Sequence, residues 1–231
     1  MPVLQYGRMT TPSGATIRAF IFDLDGTLID SKMDIVNSVN AMLRSTGRSQ
    51  LPVETIAGFV GHGAPQLIAS VLGREASEEE KKAALGLFLA HYERHSLDET
   101  RTYPGVKEGL KALADYPMAV LTNKPTKASK QILEGLGLLE SFAVVYGGDS
   151  LQSKKPDPAG ALAILKELGV PRGQAAMVGD SDVDVQTARN AGMLAIAVAY
   201  GFGNYDRLTN PADWYVRHFS ELCALVPSYH P

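Results

Sequence analysis

IRAFIFDLDGTLIDS, Ile17 to Ser31, decides how this chain folds. Its first six residues are an apolar run rich in β-branched and aromatic side chains, and the run stops at the polar, glycine-containing stretch Asp23 to Thr27. A run of this kind, closed by a turn signal, predicts a buried strand. Two carboxylates, Asp23 and Asp25, then stand at its carboxyl end. Successive strand side chains point to opposite faces, so the two share one site only if the chain begins to turn between them, which Gly26 and Thr27 permit. The same residues also suit an Asp-rich turn that merely closes a strand end.

Outward from this stretch, four similar runs follow at Met118–Thr122, Ala143–Tyr146, Ala175–Val178 and Leu194–Ala199. Helical patterns at Lys127–Leu136, Pro158–Leu168 and Val183–Ala191 separate them, with Gly137, Gly169 and Gly192 placed as stops. Strands apolar on both faces that alternate with helices predict an α/β fold, a doubly wound parallel sheet covered by helices on each side. Between Ser31 and Tyr103 the alternation breaks, and only helical patterns occur: Met33–Thr46, Pro52–Phe59, Ala64–Leu72 and Ser77–His95. Ser77 with Glu80 fits a capping box. Residues 31–103 therefore read as a helical insertion, and residues 1–30 with 104–231 as the core that receives it. The tail from Tyr205 is expected to add an edge strand around Trp214–Val216 and a closing helix at Phe219–Val226.

Composition bounds the function. The chain has 231 residues and a net charge of −3, so no overall positive field attracts a nucleic-acid backbone, and nucleic acid is not an expected partner. The longest apolar stretch, Met193–Tyr200, is far short of the roughly twenty residues that span a bilayer, and the first eighteen residues lack the apolar core of a signal peptide. Cys223 is the one cysteine, which rules out an intrachain disulfide and a cysteine-rich metal centre and suits a reducing compartment. A cytoplasmic monomer or homodimer without membrane attachment is the expectation.

The segment FDLDGTLIDS, Phe22 to Ser31, resembles the first motif of the haloacid dehalogenase superfamily, DxDGTLxDS. Three further pieces stand in that family's order: Leu121-Thr122-Asn123-Lys124, Lys155-Pro156, and Gly179-Asp180-Ser181-Asp182-Val183-Asp184. The resemblance implies that Asp23 is a nucleophile and Asp25 a general acid and base. It also implies one Mg²⁺ held by Asp23, Asp180 and the backbone carbonyl of Asp25, hard oxygen ligands of the kind this ion prefers. A phosphomonoester dianion repels carboxylates, so a carboxylate nucleophile needs positive charge around the phosphoryl group. The ion and Lys155 are to supply it. Lys154 is the competing choice, and alignment of Lys-Pro with the third motif favours Lys155.

Gly26, Thr122 and Asn123 are expected to cradle the phosphate, the last two through the Thr122 hydroxyl and both backbone N–H groups; a simple strand-end hydrogen bond is the alternative for Thr122. Asp180 and Asp184 are four apart at the start of a helix, so both can face the site while Asp182 points elsewhere. Asp184 then serves Lys155 or a metal-bound water, or else only the helix N-terminus.

The insertion occupies the position of the superfamily's helical cap. Phe59-Val60-Gly61-His62-Gly63-Ala64 resembles a cap segment of phosphoglycolate phosphatases, as YGGDS at 146–150 followed by KKPDP at 154–158 resembles their later core. Gly61, His62 and Gly63 are accordingly expected to meet the substrate, although His62 also suits an exposed loop. His91, His95, His218 and His230 show no metal-ligand spacing and are expected at the surface. The resemblance thus implies a phosphomonoesterase acting on a small phosphorylated metabolite, 2-phosphoglycolate first. A sugar phosphate phosphatase or phosphomutase of the same superfamily is the alternative, and a non-catalytic binding protein on the same scaffold a remoter one. Asp25 argues against a dehalogenase, whose ester intermediate needs no such acid.

Overall fold

The computed structural model describes residues 16–203 and 208–226. Expectations for the N-terminal extension, for Tyr205 and for His230 lie outside them. Six parallel strands make one sheet in the order β5-β4-β1-β6-β7-β8: β1 Ala19–Phe22, β4 Met118–Leu121, β5 Val144–Tyr146, β6 Ala175–Gly179, β7 Leu194–Val198 and β8 Trp214–Val216. The doubly wound α/β core is therefore present, edge strand included. Strands β4 and β5 lie on one side of β1, and β6 to β8 on the other, so the chain reverses its winding at β1. A crevice opens outside the carboxyl ends of strands at such a point, and ligands bind there.

Every residue of β1 is buried. Phe20 and Phe22 face one layer, where Phe22 stacks on Phe219 with ring centroids 5.7 Å apart and meets Phe142 edge-on at 6.2 Å. Ala19 and Ile21 face the other layer, built from Ala161, Ile164 and Leu165 of α7 (Ala159–Leu168) and Val185 and Ala188 of α8 (Asp182–Ala191). Two buried faces explain why the strand reads as a continuous apolar run rather than an alternating one. Both helices end on glycines in the left-handed conformation, Gly169 and Gly192. The remaining core helix of the expected set is α6, Thr126–Gly135.

Four helices form the excursion after β1: α1 Lys32–Ser45, α2 Val53–Ala57, α3 Ala64–Leu72 and α4 Glu78–His95. The Ser77 capping box at α4 is present in both directions, Glu80 N–H to Ser77 Oγ and Ser77 N–H to Glu80 Oε2. Two short strands that the sequence pattern does not announce, β2 (Ile29–Asp30) and β3 (Arg101–Thr102), pair antiparallel where the chain leaves and re-enters the core. Buried Asp34 on α1 accepts from Glu99 N–H, Thr100 N–H and Thr100 Oγ, stitching that exit to that return. A further helix, α5 (Val106–Ala112), follows Gly105, and the closing segment Phe219–Leu225 is a 3₁₀ helix rather than an α-helix. His91 is not a surface group: it is half-buried on α4 with Nδ1 3.0 Å from Ser38 Oγ. Cys223 is buried and free, and no helix among the described residues is long and apolar enough to cross a membrane.

Phe22 sits between two aromatic rings directly before the site, so Phe22→Ala should destabilise the chain by about 3–5 kcal/mol. Urea unfolding followed by circular dichroism checks this, and a loss under about 1 kcal/mol would mean that the layer collapses around the gap.

Candidate active site

The carboxyl ends of β1, β4 and β6 bring the functional side chains together. Asp23 directly follows β1, and its N–H donates to Val178 O of β6 at 2.9 Å, which keeps it in register with the sheet. The chain then turns: Leu24 O accepts from Thr27, Leu28 and Ile29 N–H, and Asp25 swings round beside Asp23. The turn requires Gly26, whose φ is +86° and whose place a Cβ would fill against the Asp180 carboxylate.

Lys155 is buried, with Nζ 2.7 Å from Asp23 Oδ1 and 2.6 Å from Asp184 Oδ1. It is held there by Asn123, whose Oδ1 accepts from Lys155 N–H at 3.0 Å and whose Nδ2 donates to Lys155 O at 3.1 Å. The same Nδ2 reaches across to Gly61 O at 3.0 Å, tying the helical excursion to the core. The Asn123 side chain is thus fully used in positioning. Thr122 corrects one expectation: its N–H donates to Tyr146 O at 3.0 Å within the sheet, so its hydroxyl and the Asn123 N–H are what remain for a phosphate oxygen. Lys154 is exposed, which separates the two neighbouring lysines as the Lys-Pro alignment expects.

Asp180, at the end of β6, has Oδ2 occupied by Phe202 N–H at 2.7 Å and Gly203 N–H at 2.8 Å, which leaves Oδ1. Asp184 has Oδ2 on Ser181 N–H and Oγ at the α8 N-terminus and Oδ1 on Lys155, so both of its oxygens are taken. Asp182 turns away and binds Thr209 N–H and Oγ1. Asp23, Asp180 and Asp184 offer oxygens within 4.8 Å of one another, all buried. Burial pushes Asp23 up to about 6, with Asp184 and Asp25 adding repulsion against the downward pull of Lys155. Burial likewise raises Asp180 to about 7, with Asp184 and Asp23 contributing. Lys155 moves upward: burial alone would lower it, and the attraction of Asp184 and Asp23 outweighs that. Three ionised carboxylates against one ammonium leave two negative charges uncompensated, and oxygens this close together fit one hard divalent cation.

Above these groups lies a cavity of about 330 Å³. Asp23, Asp25, Thr122, Asn123, Lys124 and Asp180 line its core side; Ile35, Val60, Leu67, Phe88 and Leu89 line the side formed by the helical excursion, along with Gly61 and Gly63. His62 is exposed and does not line the cavity, so the histidine expected to meet substrate is not among the residues the fold brings together. Sequence reasoning missed Lys124. Its Nζ lies 2.8 Å from both oxygens of Asp25, and Ser31 Oγ donates to one of them. It also missed the Gly201-Phe202-Gly203 loop that grips Asp180; the signal was a Gly-Phe-Gly turn after the last buried strand of the expected set, β7.

Comparison with known proteins agrees with this geometry. Residues 20–198 match the family model of haloacid dehalogenase-like hydrolases. The phosphoglycolate phosphatase of Chromobacterium violaceum is 40% identical over 220 residues, 91% of this chain and 96% of that protein. That of Rhodospirillum rubrum is 41% identical over 217 residues, covering 85% and 90%. A solved haloacid dehalogenase-like family hydrolase from Streptococcus pneumoniae superposes with a TM-score of 0.81 at 27% identity, covering 90% of this chain and 97% of that one. With the family's model spanning most of its length and its motif carriers gathered at one crevice, the chain belongs to the haloacid dehalogenase-like hydrolases.

Proposed function

We propose that this chain, a phosphatase, hydrolyses 2-phosphoglycolate or a similar small phosphorylated carboxylate, in the cytoplasm, with one Mg²⁺ and through an aspartyl-phosphate on Asp23. The observation that carries the reading is the buried cluster of Asp23, Lys155, Asp184 and Asp180, of which Asp23 and Asp180 reach the wall of a cavity of about 330 Å³. Relatives named phosphoglycolate phosphatase support the choice of substrate.

Lys155 holds one carboxylate oxygen of Asp23 and orients it toward phosphorus. The Thr122 hydroxyl and the Asn123 N–H bind phosphoryl oxygens, with Gly26 keeping the turn open beside them. Asp23 attacks phosphorus, a P–O bond to Asp23 forms as the ester P–O bond breaks, and Asp25 delivers its proton to the departing alkoxide. Water then attacks the aspartyl-phosphate, Asp25 takes the proton back, and inorganic phosphate leaves. Mg²⁺, when bound by Asp23, Asp180 and the backbone carbonyl of Asp25, supplies positive charge against the phosphoryl oxygens. Asp184 keeps Lys155 in place. Residues 31–103 act as a cap that shuts water out of the cavity. The side chains of Ile35, Val60, Leu67, Phe88 and Leu89 offer no hydrogen bonds to the several hydroxyls of a sugar, which favours a small acid over a sugar phosphate.

Asp23→Asn should abolish turnover with the fold retained, and Asp25→Asn should lower kcat by about 10²–10⁴, the usual worth of a general acid. Steady-state assays on phosphoglycolate and glucose 6-phosphate check both the chemistry and the substrate. Near-parental activity of Asp23→Asn would overturn the nucleophile, and a tenfold preference for the sugar phosphate would overturn the substrate.

The raised carboxyl groups set a pH dependence. Without a cation Asp180 and Asp23 keep protons up to about pH 7 and about pH 6. A cation needs both ionised, so it must displace those protons, and its apparent affinity should rise with pH and level off above about 7. Titration calorimetry with Mg²⁺ should give binding at least about tenfold weaker at roughly pH 5.5 than at roughly pH 7.5. Equal affinity at the two values would place the ion elsewhere.

A further inference from the structure

We infer that Lys124 and Tyr92 together form the site that recognises the carboxylate of the substrate, one group from the core and one from α4. This deepens the proposed function and rests on its placing of the phosphoryl group at Asp23 and the ester oxygen at Asp25. Among the described residues that line the cavity, Lys124 is the one with a cationic side chain. It is buried, its Nζ lies 2.8 Å from each oxygen of Asp25, and the Tyr92 ring stands over it with the centroid 4.7 Å away. An ammonium has three donors. Two are directed at Asp25, and the Tyr92 hydroxyl lies beside the third, so an anion bound there meets the ammonium and that hydroxyl together.

Tyr92 supplies the second, independent observation. The residue is 4% exposed and lines the cavity, and its buried hydroxyl sits beside the Lys124 ammonium with its own O–H proton unmatched by an acceptor among the described residues. A buried hydroxyl left unmatched costs free energy, so a ligand atom that accepts from it restores the loss. The opposite wall is apolar and offers a carboxylate nothing, and His62 lies outside the cavity.

Position selects the ligand. The ester oxygen must lie within hydrogen-bond reach of Asp25 to receive its proton, and Lys124 contacts that same carboxylate. An anionic group near Lys124 is therefore close to the ester oxygen along the substrate. A carboxylate joined to that oxygen through one carbon satisfies this, which makes the substrate class a phosphate ester α to a carboxylate. A carboxylate one carbon further away would be carried toward the apolar roof. Because Tyr92 belongs to α4 and Lys124 to the loop after β4, the site exists only when the helices are seated on the core.

The test compares 2-phosphoglycolate with ethyl phosphate, which replaces the carboxylate by a methyl group at the same position. In the parent, in Lys124→Met and in Tyr92→Phe, the quantity read is the ratio of kcat/KM for the two esters. Lys124→Met also loosens Asp25 and lowers both values, but the ratio should fall about 10- to 100-fold, as expected for one charge-assisted hydrogen bond. Tyr92→Phe keeps the ring over Lys124 and removes only the hydroxyl, so the thermal midpoint should move by no more than a few degrees while the ratio falls about fivefold or more, mainly through KM for phosphoglycolate. If both esters lose the same factor in both variants, Lys124 serves Asp25 alone and the inference is overturned while the proposed function stands. A parent that hydrolyses the two esters equally well overturns the choice of substrate, and this assignment with it, before any variant is needed.

Discussion

Three buried carboxyl groups with oxygens within 4.8 Å of one another are the constraint on which the rest of the structure depends. A pair of unit charges about 4 Å apart repels by about 4 kcal/mol at an effective dielectric of about 20, so the cluster of Asp23, Asp180 and Asp184 stays together only because covalent structure and fixed dipoles hold each member. The sheet does most of this. Asp23 and Asp180 end adjacent parallel strands, β1 and β6, whose register is locked from Ala19 opposite Ala175 to Phe22 opposite Val178. Asp184 rides on the first turn of α8, where the helix N-terminus and Ser181 favour a negative charge. Lys155 is drawn between two of the three, and the backbone of the Phe202–Gly203 loop closes on the last. The raised Asp23 and Asp180 are the residual cost of this arrangement.

How much of this was legible in the sequence depended on whether a residue's role was local. The strands announced themselves because each is buried on both faces and so reads as an unbroken apolar run. The capping box at Ser77 and the helix stops at Gly169 and Gly192 were legible for the same reason, since caps are satisfied within four residues. Strands β2 and β3 were not, because two residues each carry no periodicity and their pairing joins positions about seventy apart in the chain. Helix α5 was obscured by Tyr103-Pro104-Gly105, which read as a turn into the sheet although Val106, Gly109 and Leu110 are its buried face.

The site divides along the same line. The carboxylates and Lys155 stand in short local patterns and could be named from spacing and resemblance, whereas the roles of Lys124 and Tyr92 arise only from contact between segments far apart in the chain. Lys124 sat inside a recognised motif, but nothing in its neighbours says that its ammonium would meet Asp25 rather than water. His62 failed in the opposite direction: its loop does approach the core, through Gly61 O and Asn123, yet the side chain leaves the cavity. Backbone proximity to a site is readable from glycine spacing, and side-chain direction at a positive-φ loop is not.

The helical excursion can then be understood from the needs of the buried charges. Buried charges act most strongly on a ligand where water is kept from them, yet the floor itself is built from a sheet end that is open by topology. An apolar roof is the physical answer, and it must return to the same place each time. Pairing β2 with β3 and binding Asp34 to the backbone of Glu99 and Thr100 fixes the two crossing points of the chain side by side, so the roof has one orientation relative to Asp25. Once that orientation is fixed, a residue on α4 such as Tyr92 can act on the same atoms as a residue on the core such as Lys124. In the proposed function, choice of leaving group and exclusion of water are consequences of a single packing arrangement, while Asp23 and Asp180 beneath it are placed chiefly by the register of the sheet.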